Sequence, residues 1–178
     1  MESHFNTSLT LKNSIIAIGA FDGVHLGHQA VIKAIVERSK LLKVPAIVYT
    51  FDPPPRVYFH GVHHLTSIHE KLAKLEMLGV QHVIVDSFDK AYSNRSAYEF
   101  IDDLMKLNPM EILVGQDFRF GYGRYGDIQL LRQYFTVRIA ESVCCSNGAR
   151  ISSTRIRALI SKGDLQLSQS LLGWPIVK

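Results

Sequence analysis

Short apolar runs alternate along the chain with longer stretches in which apolar residues recur at helical spacing. The short runs are rich in Ile and Val, as expected for strands of a parallel sheet that is covered on both faces. They lie at residues 15–20, 46–51, 83–85, 112–114 and 136–139. This alternation predicts an α/β fold, a doubly wound (Rossmann-like) parallel five-stranded sheet with helices on both faces.

Local signals for helix starts and stops set the boundaries of the predicted helices. Capping side chains are indicated at Ser67 with Glu70, Ser96 with Glu99, Asp127, and Ser152 or Ser153. The helices are expected to end near residues 42, 78, 107, 134, 161 and 172. Two stretches are predicted to be loops: the proline-containing residues 52–65 and the Gly- and aromatic-rich residues 115–126.

The composition fits one compact soluble domain that spans residues 1–178. With 178 residues, of which 47% are hydrophobic, the chain can bury a sizeable core. The net charge of +4 is mild and the basic residues are scattered, which favours a small anionic ligand over nucleic acid. No segment approaches the ~20 apolar residues that a membrane span needs. We therefore expect neither nucleic acid nor membrane as a partner, and no protein partner is indicated.

The number and placement of the cysteines indicate the cellular compartment of the protein. The chain has two, Cys144 and Cys145. Adjacent cysteines are poorly placed to form the cross-linking disulfides of secreted domains. A reducing, cytoplasmic location is therefore expected.

The segment Gly19–His28 (GAFDGVHLGH) joins the first predicted strand to the first predicted helix. In open parallel sheets, ligands bind at the carboxyl ends of strands, where free N–H groups at the start of the next helix attract phosphate. His25 is expected on the turn and His28 in the first helical turn, so both imidazoles can face one phosphate. Such donors stabilise the charge that develops during nucleotidyl transfer.

Two other interpretations of these histidines are open. The pair could serve as helix-capping or core residues, or it could bind zinc. A zinc site would need further Cys or His ligands at suitable spacing. His60, His63 and His64 are available, but they lie in a stretch that is predicted to be a surface loop.

Three further segments carry candidate binding residues. They are Thr50–Arg56 (TFDPPPR) after the second strand, Val114–Gly121 (VGQDFRFG) after the fourth, and Arg150–Arg157 (RISSTRIR) at the start of a late helix. Taken alone, the first indicates a rigid loop and the third a serine-capped helix. The second would also suit stacking on single-stranded nucleic acid.

The start of the late helix suits a triphosphate, because its hydroxyl and N–H groups can bind anions. Arg157 lies one turn into that helix and can reach back toward the same phosphates, while Arg150 approaches from the preceding loop. Arg155 is expected to point to solvent.

Together the four segments resemble the motifs of one enzyme family. The GxFDGxHxGH string is similar to the bacterial FAD synthetase family of HxGH nucleotidyltransferases, and strings like TFxPxPR, VGxDFRFG and ISSTxIR follow in family order. The resemblance runs from Ile15 to Trp174. It implies an adenylyltransferase that joins the AMP moiety of ATP to FMN, giving FAD and pyrophosphate, with Mg²⁺ as cofactor.

The resemblance also implies residue roles, although it assigns no metal ligand. The catalytic residues would be His25, His28, Arg150, Ser153, Thr154 and Arg157. ATP would be bound by Gly19, Ala20, Phe21, Asp22, Gly27, His28, Gly115, Asp117, Phe118, Ser152, Ser153, Thr154 and Arg157. The flavin would be bound by Thr50, Asp52, Pro53, Pro55, Arg56 and Phe120.

The chain departs from the family pattern at Pro54, where family members often carry His or Asn, so a polar contact to phosphate or metal would be lost. Family members commonly continue into a β-barrel that phosphorylates riboflavin. Residues 172–175 lie close to that junction, so no riboflavin kinase domain or activity is expected.

Two alternative functions are kept. The first is an HxGH adenylyltransferase that uses another acceptor, such as nicotinate mononucleotide or phosphopantetheine. The second is a single-stranded RNA-binding module, for which the aromatic residues of the 115–126 loop would supply the stacking surface.

Overall fold

A computed structural model describes residues 1–5 and 9–174, and its centre is a parallel β-sheet. The strands are β1 Glu2–Phe5, β2 Ser14–Ile18, β3 Ala46–Asp52, β4 His82–Ser87, β5 Pro109–Val114, β6 Arg119–Phe120, β7 Gly126–Asp127 and β8 Val137–Ile139. Six of them form one sheet in the order β1-β4-β3-β2-β5-β8, with every neighbouring pair parallel. The remaining two, β6 and β7, form a short antiparallel pair.

Within the described ranges, eight α-helices connect and cover these strands. They are α1 Leu26–Leu42, α2 Pro55–His60, α3 Ile68–Met77, α4 Lys90–Ser93, α5 Ala97–Lys106, α6 Ile128–Arg132, α7 Ser153–Ser161 and α8 Leu165–Leu172. Both predicted capping boxes are confirmed, since Ser67 and Ser96 each exchange hydrogen bonds with the Glu three residues later. Asp127 and Ser152 cap α6 and α7.

Strand β2 shows why the sheet is covered on both faces. All five of its residues are buried, and successive side chains point to opposite sides. Ile16 and Ile18 pack in the apolar cluster that includes Leu104 of α5. Ile15 and Ala17 pack in a second cluster, on the side of α1 and α3. The predicted Rossmann-like architecture is therefore confirmed.

The structure differs from the sequence prediction in its number of strands and in both predicted loops, since β6 and the start of its partner β7 lie within residues 115–126. A sixth strand, β1, pairs in parallel with β4 at the edge of the sheet. Its sequence, ESHF, is largely exposed and has no apolar run, because an edge strand needs a partner on one side only. Within the predicted loop 52–65, Pro55 begins the short helix α2, a position where its missing N–H costs nothing.

The strand order reverses between β2 and β5, which places a crevice at their carboxyl ends. The segments that follow β2, β3 and β5 are three of the four candidate binding segments. Over the described ranges, no helix combines the length and apolar character that crossing a bilayer requires.

Candidate functional site

The turn after β2 has an unusual backbone. Phe21 and Val24 have φ angles of 47° and 42°, and a β-branched residue such as valine rarely adopts positive φ. Two side chains stabilise the turn at Val24: the Gln29 amide (3.0 Å) and the Trp174 indole N–H (2.8 Å) both donate to the Val24 carbonyl. The Gln29 amide also donates to Leu172 O (2.9 Å) and so links the turn to the end of α8. Strained backbone of this kind is concentrated at functional sites.

His25 and His28 lie side by side at the start of α1, as their spacing predicts. Nδ1 of His25 accepts a hydrogen bond from the backbone N–H of His28 (3.3 Å), so His25 is the N-cap of the helix. The two rings stack with centroids 3.6 Å apart. Gly27 allows this packing, because a Cβ at that position would lie 3.2 Å from the His25 ring.

Both imidazoles are neutral at physiological pH. The pKa of His25 is lowered to about 4, chiefly by burial and in smaller part by the Arg150 charge, against a backbone hydrogen bond that raises it. Burial lowers the pKa of His28 well below its ordinary value, helped by His25 and Lys71. Because Nδ1 of His25 is an acceptor, its proton lies on Nε2, which can donate to a ligand.

His28 has an unused polar atom. Its Nδ1 is buried and has no hydrogen-bond partner among the described residues. Buried polar atoms in folded proteins are nearly always paired. The unpaired nitrogen beside a helix start is therefore consistent with a group that a ligand would complete.

The depressed pKa of His25 predicts a pH-dependent stability. Between pH 6.5 and about 4 the unfolded chain takes up a proton at this residue and the native state does not. The contribution is therefore complete above pH 6.5 and is lost as the pH falls toward 4. We expect the free energy of unfolding of His25→Gln to fall less over this range than that of the wild type, by up to about 3 kcal/mol. Urea denaturation at pH 7 and near pH 4 measures this difference, and equal losses in the two proteins would contradict it.

Asp22 joins three parts of the chain beneath the site. Its buried carboxylate accepts hydrogen bonds from the backbone N–H groups of Leu65 (3.0 Å) and Thr66 (3.3 Å) and forms an ion pair with Arg157. Its backbone carbonyl accepts from the Ser153 hydroxyl (2.9 Å). Both carboxylate oxygens of Asp22 thus bond to protein groups, so this predicted ATP ligand positions Arg157 in the structure.

The start of α7 contacts the two other segments. Arg56, which follows β3, donates to the Thr154 hydroxyl (2.8 Å). Arg150 forms an ion pair with Asp117, which follows β5 (3.1 Å). The starts of α1 and α7 are also adjacent, since a Cβ at Gly27 would lie 3.7 Å from the carbonyl oxygen of Ile151. All four candidate segments therefore meet at one end of the sheet.

Arg155 does not extend into solvent as expected. Its guanidinium donates to the Cys145 thiol (2.9 Å) and to the Ala149 carbonyl (3.1 Å), so it braces the loop that carries Arg150. The hydrogen bond from Arg155 lowers the pKa of Cys145. The expectation is wrong because the loop before α7 folds back over the helix and offers acceptors to this side chain.

The predicted binding residues differ in accessibility. Gly115 and Asp117 are exposed, and Phe118 is partly buried, with its ring 5.5 Å from that of Phe120. Phe120 is only 8% exposed and packs on Phe100 (5.2 Å between centroids). Its ring therefore belongs to the core beneath the surface.

The predicted flavin-binding residues at the end of β3 and after it also include both buried and accessible side chains. Thr50 is buried, and its hydroxyl donates to the carbonyl of Ala20 (3.0 Å). Asp52, Pro53 and Pro55 are partly exposed, and Arg56 is exposed. Thr50 thus supports the site from below, while the later residues are accessible to a ligand.

Lys71 of α3 is a candidate site residue that the sequence prediction missed. Its side chain is 1% exposed, and Nζ donates to the Phe51 carbonyl (3.0 Å) and contacts the Thr50 hydroxyl (3.4 Å). Burial lowers the pKa of Lys71, against the raising effect of Asp22 and Asp52. The sequence did contain one indication that Lys71 is buried: it lies four residues before the core residue Leu75, and so on the same, buried face of the helix.

The site has few of the ligands that would enclose a metal ion. Among the described residues, the group of three His, Cys, Asp or Glu side chains placed to share an ion is elsewhere, at β1 and β4. Mg²⁺ commonly binds through one or two carboxylates together with substrate phosphates. Asp52, a partly exposed carboxylate at the end of β3, fits that pattern.

Comparison with known proteins gives a consistent result. The family model described as FAD synthetase matches residues 7–155. A relative from Geobacillus thermodenitrificans, named putative bifunctional riboflavin kinase/FMN adenylyltransferase, is 54% identical over 96% of each chain. A relative from Escherichia coli K12, named bifunctional riboflavin kinase/FMN adenylyltransferase, is 37% identical over 92% of this chain and 55% of its own length.

The fold is also similar to that of a solved structure. A crystal structure from Streptococcus pneumoniae, titled macrolide-efflux protein, superposes with a TM-score of 0.85 at 27% identity. The match covers 99% of this chain and 61% of that chain. The present chain thus spans little more than half the length of the E. coli relative, but nearly all of the Geobacillus relative.

Proposed function

Because the chain belongs to the FAD synthetase family, we propose that it transfers the AMP moiety of ATP to FMN, forming FAD and releasing pyrophosphate. The observation that carries this proposal is the meeting of four motif segments at the carboxyl ends of β2, β3 and β5. There, two neutral imidazoles and two helix starts offer hydrogen-bond donors to a polyphosphate.

The reaction is an in-line displacement. A phosphate oxygen of FMN forms a bond to the α-phosphorus of ATP while the bond to the pyrophosphate oxygen breaks. Such a displacement requires no covalent enzyme intermediate. Catalysis then consists of aligning two anions and stabilising the charge on the phosphoryl oxygens.

The histidines suit this role because they are neutral. A neutral His25 that donates through Nε2 keeps its proton, so it stabilises phosphate charge without acting as an acid. The N–H groups at the starts of α1 and α7 add partial positive charge. Arg157, held by Asp22, and Arg150, held by Asp117, bring two permanent cations to the same end of the sheet.

The remaining binding roles follow the position of each segment. We propose that Gly19, Ala20, Phe21, Gly115, Asp117 and Phe118 line the nucleoside part of ATP, and that Ser152, Ser153 and Thr154 bind its triphosphate through the start of α7. Asp52, Pro53, Pro55 and Arg56 are proposed to contact FMN. Thr50 and Phe120 would act through the shape of the site, since both are buried.

Mg²⁺ is proposed to bind with ATP. The Asp52 carboxylate fits a hard cation that keeps most of its ligands from phosphate and water. The ion would screen the repulsion between the phosphates of ATP and FMN. Pro54 offers no ligand to it.

The proposed function is tested by measuring AMP transfer from ATP to several acceptors. FMN should be converted to FAD with release of pyrophosphate. Riboflavin should not react, because it lacks the phosphate nucleophile. Nicotinate mononucleotide and phosphopantetheine should be poor acceptors. If FMN did not react and one of these two compounds did, the proposed acceptor would be wrong, while the proposed reaction type, adenylyl transfer, would still hold.

Replacing Lys71 separates its role in the site from its effect on folding. Lys71→Met removes a buried positive charge that acts on His28 and lies against Thr50 and Phe51, so we expect adenylyl transfer to slow at least tenfold, by roughly 1.4 kcal/mol or more. Stability should be kept or increased, because replacing a buried charge with an apolar group of similar volume removes a desolvation cost. Steady-state kinetics and thermal melts measure the two effects. Lys33→Met, at an exposed lysine of α1, should change neither; unchanged kinetics in Lys71→Met would contradict the expected role.

A further inference from the structure

A second cluster of chemically active side chains lies at the edge of the sheet, away from the proposed active site. Strand β1 pairs in parallel with β4, and Glu2 is in register with His82. Side chains alternate along a strand, so Glu2 and His4 lie on the same face. The pair of Glu2 and His82 is at the amino end of β4, whereas three of the four motif segments follow the carboxyl ends of the central strands.

The donor atoms of these three residues converge. Nε2 of His4 lies 3.3 Å from Nδ1 of His82. Oε2 of Glu2 lies 3.4 Å from Nδ1 of His82 and 3.8 Å from Nε2 of His4. A tetrahedral Zn²⁺ ion, with bonds of ~2.0–2.1 Å to nitrogen and oxygen, holds its donors about 3.3–3.4 Å apart. Two of the three separations already match this spacing.

The surroundings also suit a metal ion. The side chains of His4 and His82 are only 20% and 18% exposed, so their rings are held in place by packing. The Glu2 side chain is 72% exposed and is free to close the remaining separation.

We propose that Glu2, His4 and His82 form a Zn²⁺ site, with water as the fourth ligand, that fastens the edge strand β1 to β4. Two imidazoles and one carboxylate are a ligand set that zinc accepts. The site is separate from the adenylyl-transfer chemistry and does not depend on it. Its expected effect is on stability, because the ion binds the folded arrangement and not the unfolded chain.

Isothermal titration of the chelator-treated full chain with ZnCl₂, without nucleotide, tests the proposal. We expect one equivalent of zinc to bind and the thermal midpoint to rise with zinc and fall again with EDTA. Co²⁺ in place of zinc should give the intense visible absorption of a four- or five-coordinate ion.

Two variants assign the binding to this cluster. His82→Gln should weaken zinc binding at least about tenfold. Glu2→Gln should have the same effect, and because the Glu2 side chain is 72% exposed, this substitution should leave folding unchanged. A matched control replaces His63 and His64, the exposed histidines of the loop before α3, and should leave zinc affinity unchanged. Absence of binding at micromolar zinc, or zinc affinity that is unchanged in both Glu2→Gln and His82→Gln, would overturn the site.

Discussion

Replacing His28 with alanine is expected to lower the kcat for AMP transfer to FMN by roughly 10²–10³-fold, the usual cost of removing one preorganised donor to a developing negative charge. The His28 ring stacks directly on His25, and its Nδ1 has no partner among the described residues. Because the lost contact would strengthen only as charge builds up on the phosphoryl group, kcat and kcat/KM should fall together. Steady-state kinetics with ATP and FMN measure both.

A suitable control for this variant is His69→Ala, which removes an exposed imidazole from α3. It should leave both kinetic constants unchanged. Thermal melts of His28→Ala should show that the fold is kept, since the ring is not part of an ion pair. Wild-type turnover by His28→Ala would remove His28 from the catalytic residues.

The second large effect is expected at Asp22, and it concerns stability. Asp22→Ala leaves the Arg157 guanidinium without its counter-ion and frees the N–H groups of Leu65 and Thr66. Breaking a buried ion pair from one side typically costs 3–5 kcal/mol. We therefore expect the free energy of unfolding to fall by about that amount. Urea denaturation with both proteins at the same pH measures the change.

An exposed ion pair provides the comparison for Asp22. Arg119 and Asp127 are 3.1 Å apart, with side chains 47% and 34% exposed, so Arg119→Ala should cost less than about 1 kcal/mol. The double variant Asp22→Ala with Arg157→Met should be more stable than Asp22→Ala alone, because it leaves no unpaired buried charge. If Asp22→Ala and Arg119→Ala lowered the free energy of unfolding by the same amount, the buried ion pair would contribute no more to stability than the exposed one.

The central strands could be predicted because continuous apolar runs in the sequence indicate strands that are buried on both faces. Residues 15–18 of β2 and 46–51 of β3 are uninterrupted apolar or nearly apolar runs, and both are buried on two faces. Strand β1 could not be found in this way. Its residues are mostly polar, and its pairing with β4 depends on a contact between parts of the chain that are about 80 residues apart.

The position of the two histidines could also be predicted, because it depends only on where α1 begins. The partners of Asp22 could not, since Leu65, Thr66 and Arg157 come from distant parts of the chain. The assignments of binding roles to individual residues remain predictions.

The aromatic residues of the 115–126 loop show why residue types alone do not establish a binding surface. Residues 118–125 include four aromatic rings and were compatible with stacking on single-stranded RNA. Tyr122 and Tyr125 are exposed, but Phe120 is buried against Phe100 and stacks with Phe118. The continuous platform that stacking on successive bases requires is therefore reduced, a result that periodicity in the sequence could not reveal.

The hydrogen bond from Trp174 to the carbonyl of Val24 joins residues 150 positions apart. Gln29 reinforces it by bonding to both Val24 and Leu172. The last described helix, α8, therefore acts as a clamp on the turn that carries His25. A proteolytic cut between α7 and α8 would release that clamp and displace the imidazoles while the sheet remained intact, so loss of activity should precede loss of secondary structure during limited digestion.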